Sequence, residues 1–147
     1  MDILRTMGVD KKKATEGVWI KLDAEEGYDE VEESEIGADA AVKIARADNL
    51  QYQRQLTKKL QPVVMRKGRK PIDPEVRQKM EGEALAETVI LDWRNLLLGE
   101  TPFPFSVANV VRVWTDIELI AFKDRLIALI NDNELFRLEF EEETVKN

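Results

Sequence analysis

The sequence predicts a mainly α, α+β fold: a compact helical domain around one long central helix, about residues 74–98, with a small N-terminal β-ribbon formed by about 17–22 and 40–47. Three observations carry this. Asp73-Pro74-Glu75 is a strong helix start, with a capping carboxylate, a proline where its missing N–H costs nothing, and an acid at the positive end of the dipole. Val76, Met80, Ala84, Thr88 and Leu91 then repeat at helical spacing, broadened by Leu85, Val89, Trp93, Leu96 and Leu97, and Gly99 supplies a left-handed stop. Third, Val18-Trp19-Ile20-Lys21-Leu22 and Asp39–Ala47 alternate with period two, with Val42 and Ile44 on one face and Lys43 and Arg46 directed to water.

A chain of 147 residues that is 44% hydrophobic and 35% charged suits a single domain spanning 1–147, with no apolar run long enough to span a membrane. The opening MDILRTMGVDKKK lacks the apolar core and cleavage site of a signal peptide, so the cytoplasm is the expected compartment. Without Cys or His there is no disulfide, no thiolate or imidazole zinc site and no His-driven nucleophile. Glycine-rich phosphate loops, GxSxG and HExxH are absent, and Glu87 and Asp92 fall five apart, off one helical face. The expectation is a non-enzyme with no catalytic residue, cofactor or metal.

Charge is segregated. The net charge is −7, yet Gln51–Lys70 holds Arg54, Lys58, Lys59, Arg66, Lys67, Arg69 and Lys70 and no acid, whereas Asp23–Glu35 holds only acids and Asp116–Glu143 is strongly acidic. The acidic loop 24–37 is expected to be mobile. As a calcium loop it fails, because aligning Gly27 with the EF-hand glycine puts Leu22 at the first ligand position. The basic block offers only Tyr52 for stacking on bases, which favours a solvated face or a dock for an acidic protein surface over nucleic acid.

The remaining elements follow in order. Residues 1–16 lack clean periodicity and read as a flexible tail, with Ile3, Leu4 and Met7 available for docking. Asp48 or Asn49 caps a helix from Leu50 to Gln61, which Pro62 ends. In Pro102-Phe103-Pro104-Phe105 two prolines hold the chain extended and present two phenylalanines, either as core plugs or to a partner. Ser106 caps a short helix with Val107, Val110, Val111 and Trp114. A last helix from near Asp116 carries Leu119, Phe122, Leu126 and Ile130 on one stripe, with Ile120 and Ile127 beside it. After the Asn131-Asp132-Asn133 break, Leu135, Phe136, Leu138 and Phe140 form either a last core helix or a docking helix.

The order GVWIKL, DNLQYQRQLTKKL, DPEV, AETVILDWRNL, PFPFSVANVVRVW and FRLEFEEETVKN resembles the tail assembly chaperones of long-tailed bacteriophages. Two features depart from that pattern: the acidic Ala24–Gly37 insertion is long, and Leu97-Leu98 stands where the family is more polar. The resemblance implies a non-catalytic protein that binds the tape-measure protein, keeps it soluble, helps recruit tail-tube subunits, works in the bacterial cytoplasm and is absent from the finished virion. The residues expected to meet that partner are Phe103, Phe105, Trp114, Phe136 and Phe140. Weak, salt-sensitive self-association would use Arg54, Lys58, Lys59, Arg66, Lys67, Arg69 and Lys70 against an acidic surface of the next copy. The alternatives are a structural tail or connector subunit of the virion and a nucleic-acid-binding regulator acting through the 54–70 block.

Overall fold

Alternation in the first strand decides where the core lies. In β1 (Val18–Leu22), Val18 and Ile20 point to one face and Trp19 and Lys21 to the other. In the computed structural model, which describes residues 1–23 and 27–140, β1 sits between β2 (Tyr28–Val31) and β3 (Ala41–Ile44), and β4 (Ile90–Arg94) completes an antiparallel sheet of order β2-β1-β3-β4. Val18, Ile20, Val42, Ile44, Ile90 and Trp93 meet the helices in one core. The opposite face keeps a small cluster of Trp19, Ile36 and Ala41, with the Arg94 guanidinium 4.7 Å from the Trp19 ring centroid. The molecule is therefore α+β, and the ribbon expected from 17–22 and 40–47 is the β1–β3 pair.

The helices are α1 (Ile3–Met7), α2 (Lys11–Glu16), α3 (Leu50–Lys67), α4 (Pro74–Thr88), α5 (Val107–Thr115) and α6 (Ile120–Ile130). Asn49, Asp73 and Ser106 cap α3, α4 and α5 as their residue types dictate. The principal packing runs α3 on α4, α4 on α5 and α5 on α6, so α3 and α6 bound the helical layer. Asn49 locks the first of these contacts: its buried amide donates to the carbonyls of Arg46 (3.0 Å) and Thr88 (3.2 Å) while its oxygen caps Tyr52 N at 2.8 Å. The start of α3 thus lies against the end of α4, and the two helices form an antiparallel hairpin.

Several expectations are corrected. The central helix stops at Thr88 after 15 residues instead of continuing to 98. Thr88, Val89 and Ile90 are consecutive β-branched residues, stiff in a helix and favourable in a strand, and β3 needs a partner along its free edge. Thr88 Oγ1 bonds back to Ala84 O at 2.7 Å, Val89 leaves helical geometry, and Ile90–Arg94 pairs with β3 across a bulge at Lys43/Ile44. Gly99 caps no helix. Its φ of 63° opens the two-residue turn between β5 (Leu97–Leu98) and β6 (Thr101–Pro102).

Pro62 does not end α3, which runs 18 residues to Lys67, where Gly68 closes it at positive φ. Pro62 is exposed and removes one N–H, while Val63 beyond it is half-buried. Within the stretch expected to be mobile, Tyr28–Val31 is a strand and Glu33–Glu35 a 3-10 turn; Ala24–Glu26 lie outside the described residues. Arg125 holds the β1–β2 connection by donating to the carbonyls of Asp23 and Gly27, both at 2.6 Å. The expected flexible tail contains α1 and α2, capped by Asp2 and Asp10. It is tied to the body by Asp10 N to Phe136 O (2.8 Å), Leu138 N to Gly8 O (2.9 Å) and Arg46 N to Ala14 O (2.9 Å). Residues 131–140 form neither a core helix nor a docking helix but a turn and a bridge, Val9 with Arg137, that buries Leu135 and Phe136.

Candidate functional site: three open surfaces

Of the residues expected to meet a partner, Phe103, Trp114 and Phe136 are buried in the core, and Phe105 is half-buried with its ring edge-on to Trp93 at 5.3 Å. The reason is the knot around Trp93. Its indole N–H donates to Phe103 O at 2.7 Å, its ring stacks on Phe103 at 5.4 Å, and Phe122 closes the cluster at 6.1 Å. The two prolines therefore aim their phenylalanines inward as plugs. Phe140 alone of the five is exposed, at 44%.

Phe140 belongs to the first open surface. The hydrogen bonds between residues 8–10 and 136–138 bring the chain's two end segments side by side, and the Arg5 guanidinium lies 5.4 Å from the Phe140 ring centroid. Ile3, Leu4 and Met7 of α1 are all exposed there. The first segment and the Phe140 segment, far apart in sequence, thus meet at Arg5, and each leaves apolar side chains exposed.

The second surface is the outer face of α3. None of its 18 residues is buried. Leu50, Arg54, Lys58, Gln61, Val64 and Met65 recur at helical spacing and all are exposed. Arg54, Lys58, Arg66, Lys67, Arg69 and Lys70 make no ion pair among the described residues. Lys59, expected among them, instead faces α4, with its ammonium 2.8 Å from Glu87 and 3.6 Å from Glu83. The Glu87 hydrogen bond raises the Lys59 pKa above its ordinary value. Burial, reinforced by the charge of Glu81, raises that of Tyr52.

Both shifts have the same consequence. A group whose folded pKa is raised contributes stability that is complete below its unfolded pKa, roughly 10 for Tyr and 10.4 for Lys, and is lost as pH climbs through the folded value. The melting temperature is therefore expected to fall above about pH 10. Tyr52→Phe should make that fall shallower; parallel wild-type and Tyr52→Phe curves between neutral and strongly alkaline pH would show that Tyr52 does not titrate with unfolding.

The third surface is α6 and the turn before it. Leu119, Phe122, Leu126 and Ile130 turn inward as their spacing requires, whereas Ile117, Ile120 and Ile127 form a second row facing solvent, Ile117 at 81% exposure. Sequence reasoning placed Ile120 and Ile127 beside the core stripe. The signal against that was the helix's excess of apolar residues over what one buried face takes up. A shallow groove alongside is lined by Tyr28, Ala121, Phe122, Ala128 and Leu129, and the Tyr28 hydroxyl donates to Asp132. That hydrogen bond raises the Tyr28 pKa.

Among the described residues no group of three carboxylates is placed to hold a metal ion, and no helix is long and apolar enough to cross a membrane. The acidic residues beyond Phe140, part of the expected self-association surface, lie outside the described residues.

Fold and surfaces define a small two-layer α+β protein whose paired end segments and outermost helices expose apolar and charged side chains. A family model described as YdaY prophage protein matches residues 47–147, so the chain belongs to that family and derives from a bacteriophage. No curated protein and no solved structure matches it.

Proposed function

We propose that this prophage protein is a tail assembly chaperone: a non-catalytic protein that binds the tape-measure protein in the bacterial cytoplasm, keeps it soluble, helps recruit tail-tube subunits and leaves before the virion is complete. The observation that supports this reading best is the set of apolar side chains left open to solvent on two segments that main-chain bonds hold together, Ile3, Leu4 and Met7 on α1 and Phe140 beyond residues 136–138. A long helical partner with an apolar stripe is prone to aggregate until it is covered, and exposed apolar side chains of this kind suit helix-on-surface packing. Buried Phe103, Trp114 and Phe136 hold the body that carries these side chains instead of touching the partner.

The test is co-expression with the tape-measure protein encoded by the same prophage. Wild-type chain should keep the tape-measure protein in the soluble fraction and co-purify with it. Leu4→Asp combined with Phe140→Asp should release it to the pellet while the variant itself melts as the wild type does. Equal rescue by the double variant would remove these side chains from the function, and no rescue by the wild type would end the chaperone reading.

A further inference from the structure

The helical layer ends in two unlike faces. At one end α3 presents Leu50, Val64 and Met65 interspersed with Arg54 and Lys58, none of these cations in an ion pair among the described residues. At the other, Ile117, Ile120 and Ile127 flank Glu118 and Asp124, two exposed carboxylates likewise without an ion pair among the described residues. Positions 120, 124 and 127 fall on one face of α6, with Ile117 in the 3-10 turn just before it, and 50, 54, 58 and 65 fall on one face of α3. At 1.5 Å per residue the row from Ile120 to Ile127 runs about 10 Å and that from Leu50 to Met65 about 22 Å, so the shorter fits within the longer. Each row is apolar with opposite charge set among the apolar residues, which is the composition of a helix–helix contact awaiting its complement. A net charge of −7 disfavours indiscriminate contact between copies, leaving the pole-to-pole arrangement as the attractive one.

We infer that the outer face of α3 in one copy packs against the α6 row of a second copy, Arg54 and Lys58 opposite Glu118 and Asp124, so that the helical layer continues from one molecule into the next. Because the two faces differ, the contact is heterologous and adds copies without limit unless the rotation closes a ring. It is independent of the tape-measure reading, since it needs only this chain.

The experiment is sedimentation velocity on the chain alone. Wild type should grow in mass with concentration at about 0.02 M salt, and its self-association should weaken roughly tenfold or more at about 0.5 M, where the Debye length falls to a few ångströms. Two variants separate the faces: Arg54→Glu/Lys58→Glu keeps only the α6 face, and Glu118→Gln/Asp124→Asn keeps only the α3 face without giving α6 a charge that would attract the reversed α3 of the first variant. Each should remain monomeric by itself with an unchanged circular dichroism spectrum. Mixed in equal amounts, they should form a capped pair of one copy of each that grows no further. Self-association of either variant alone, failure of the mixture to pair, or a wild-type monomer at every salt concentration whose α3 face retains a short DNA duplex would each overturn the proposal.

Discussion

Trp93→Ala is expected to cost about 3–5 kcal/mol of folding stability, the range for removing a large buried aromatic side chain, and to lower the melting temperature by roughly 10 °C or more. The residue is 3% exposed and joins three parts of the chain. Through its backbone it belongs to β4, paired with β3 at Val42. Its ring stacks on Phe103, takes Phe105 and Phe122 on its edges and so fastens the loop before α5, and α6 itself, to the sheet. The indole N–H also satisfies Phe103 O, which alanine would leave without that donor. Trp93→Phe retains most of the ring contact and gives up only the hydrogen bond, so it should fall between wild type and Trp93→Ala. Urea titrations of the three proteins decide the matter: a loss below about 1 kcal/mol for Trp93→Ala would mean the aromatic cluster does not hold the layers together.

How far the fold was legible in the sequence depended on whether a signal was local. Caps are local, and Asn49, Asp73 and Ser106 stand where their side-chain oxygens reach the first free N–H groups. Alternation is local too, and it placed Val18–Leu22 and Ala41–Ile44 against each other. The segment from Leu85 to Leu98 was ambiguous because its apolar residues satisfy a helical repeat and a strand run together. The contest is settled by the unpaired edge of β3, which no window of sequence contains. Inward and outward phenylalanines were likewise indistinguishable until the Trp93 knot and the Gly8–Leu138 pairing fixed Phe103 as core and Phe140 as surface. The basic block was visible from composition, but its division into Lys59, committed to Glu83 and Glu87, and Arg54 and Lys58, which stay exposed, depends on which side of α3 meets α4.

Gly82→Val is expected to destabilise the protein by about 1–3 kcal/mol, the range for forcing extra methyl groups into a packed contact. Glycine inside a helix ordinarily costs roughly 0.5–1 kcal/mol relative to alanine, so its presence in the middle of α4 calls for a cause outside the helix. That cause is the distance to α5. A Cβ built on Gly82 would lie 3.1 Å from the Val111 Cα and 3.3 Å from the Trp114 Cβ. One of these is backbone and the other is the root of a buried side chain, so neither can rotate out of the way. Gly82→Ala sets its gain in helix propensity against a small separation of the two helices and should change stability little. Gly82→Val adds two methyl groups and β-branching to the same point and forces α4 and α5 apart. Since α4 also carries α3, the hairpin would shift with it relative to α6, and the Trp114 environment would change with the same spacing. Denaturation midpoints for the series, followed by tryptophan emission, test this directly: a valine variant as stable as wild type would show that α4 and α5 do not approach as closely as the vacant Cβ position requires.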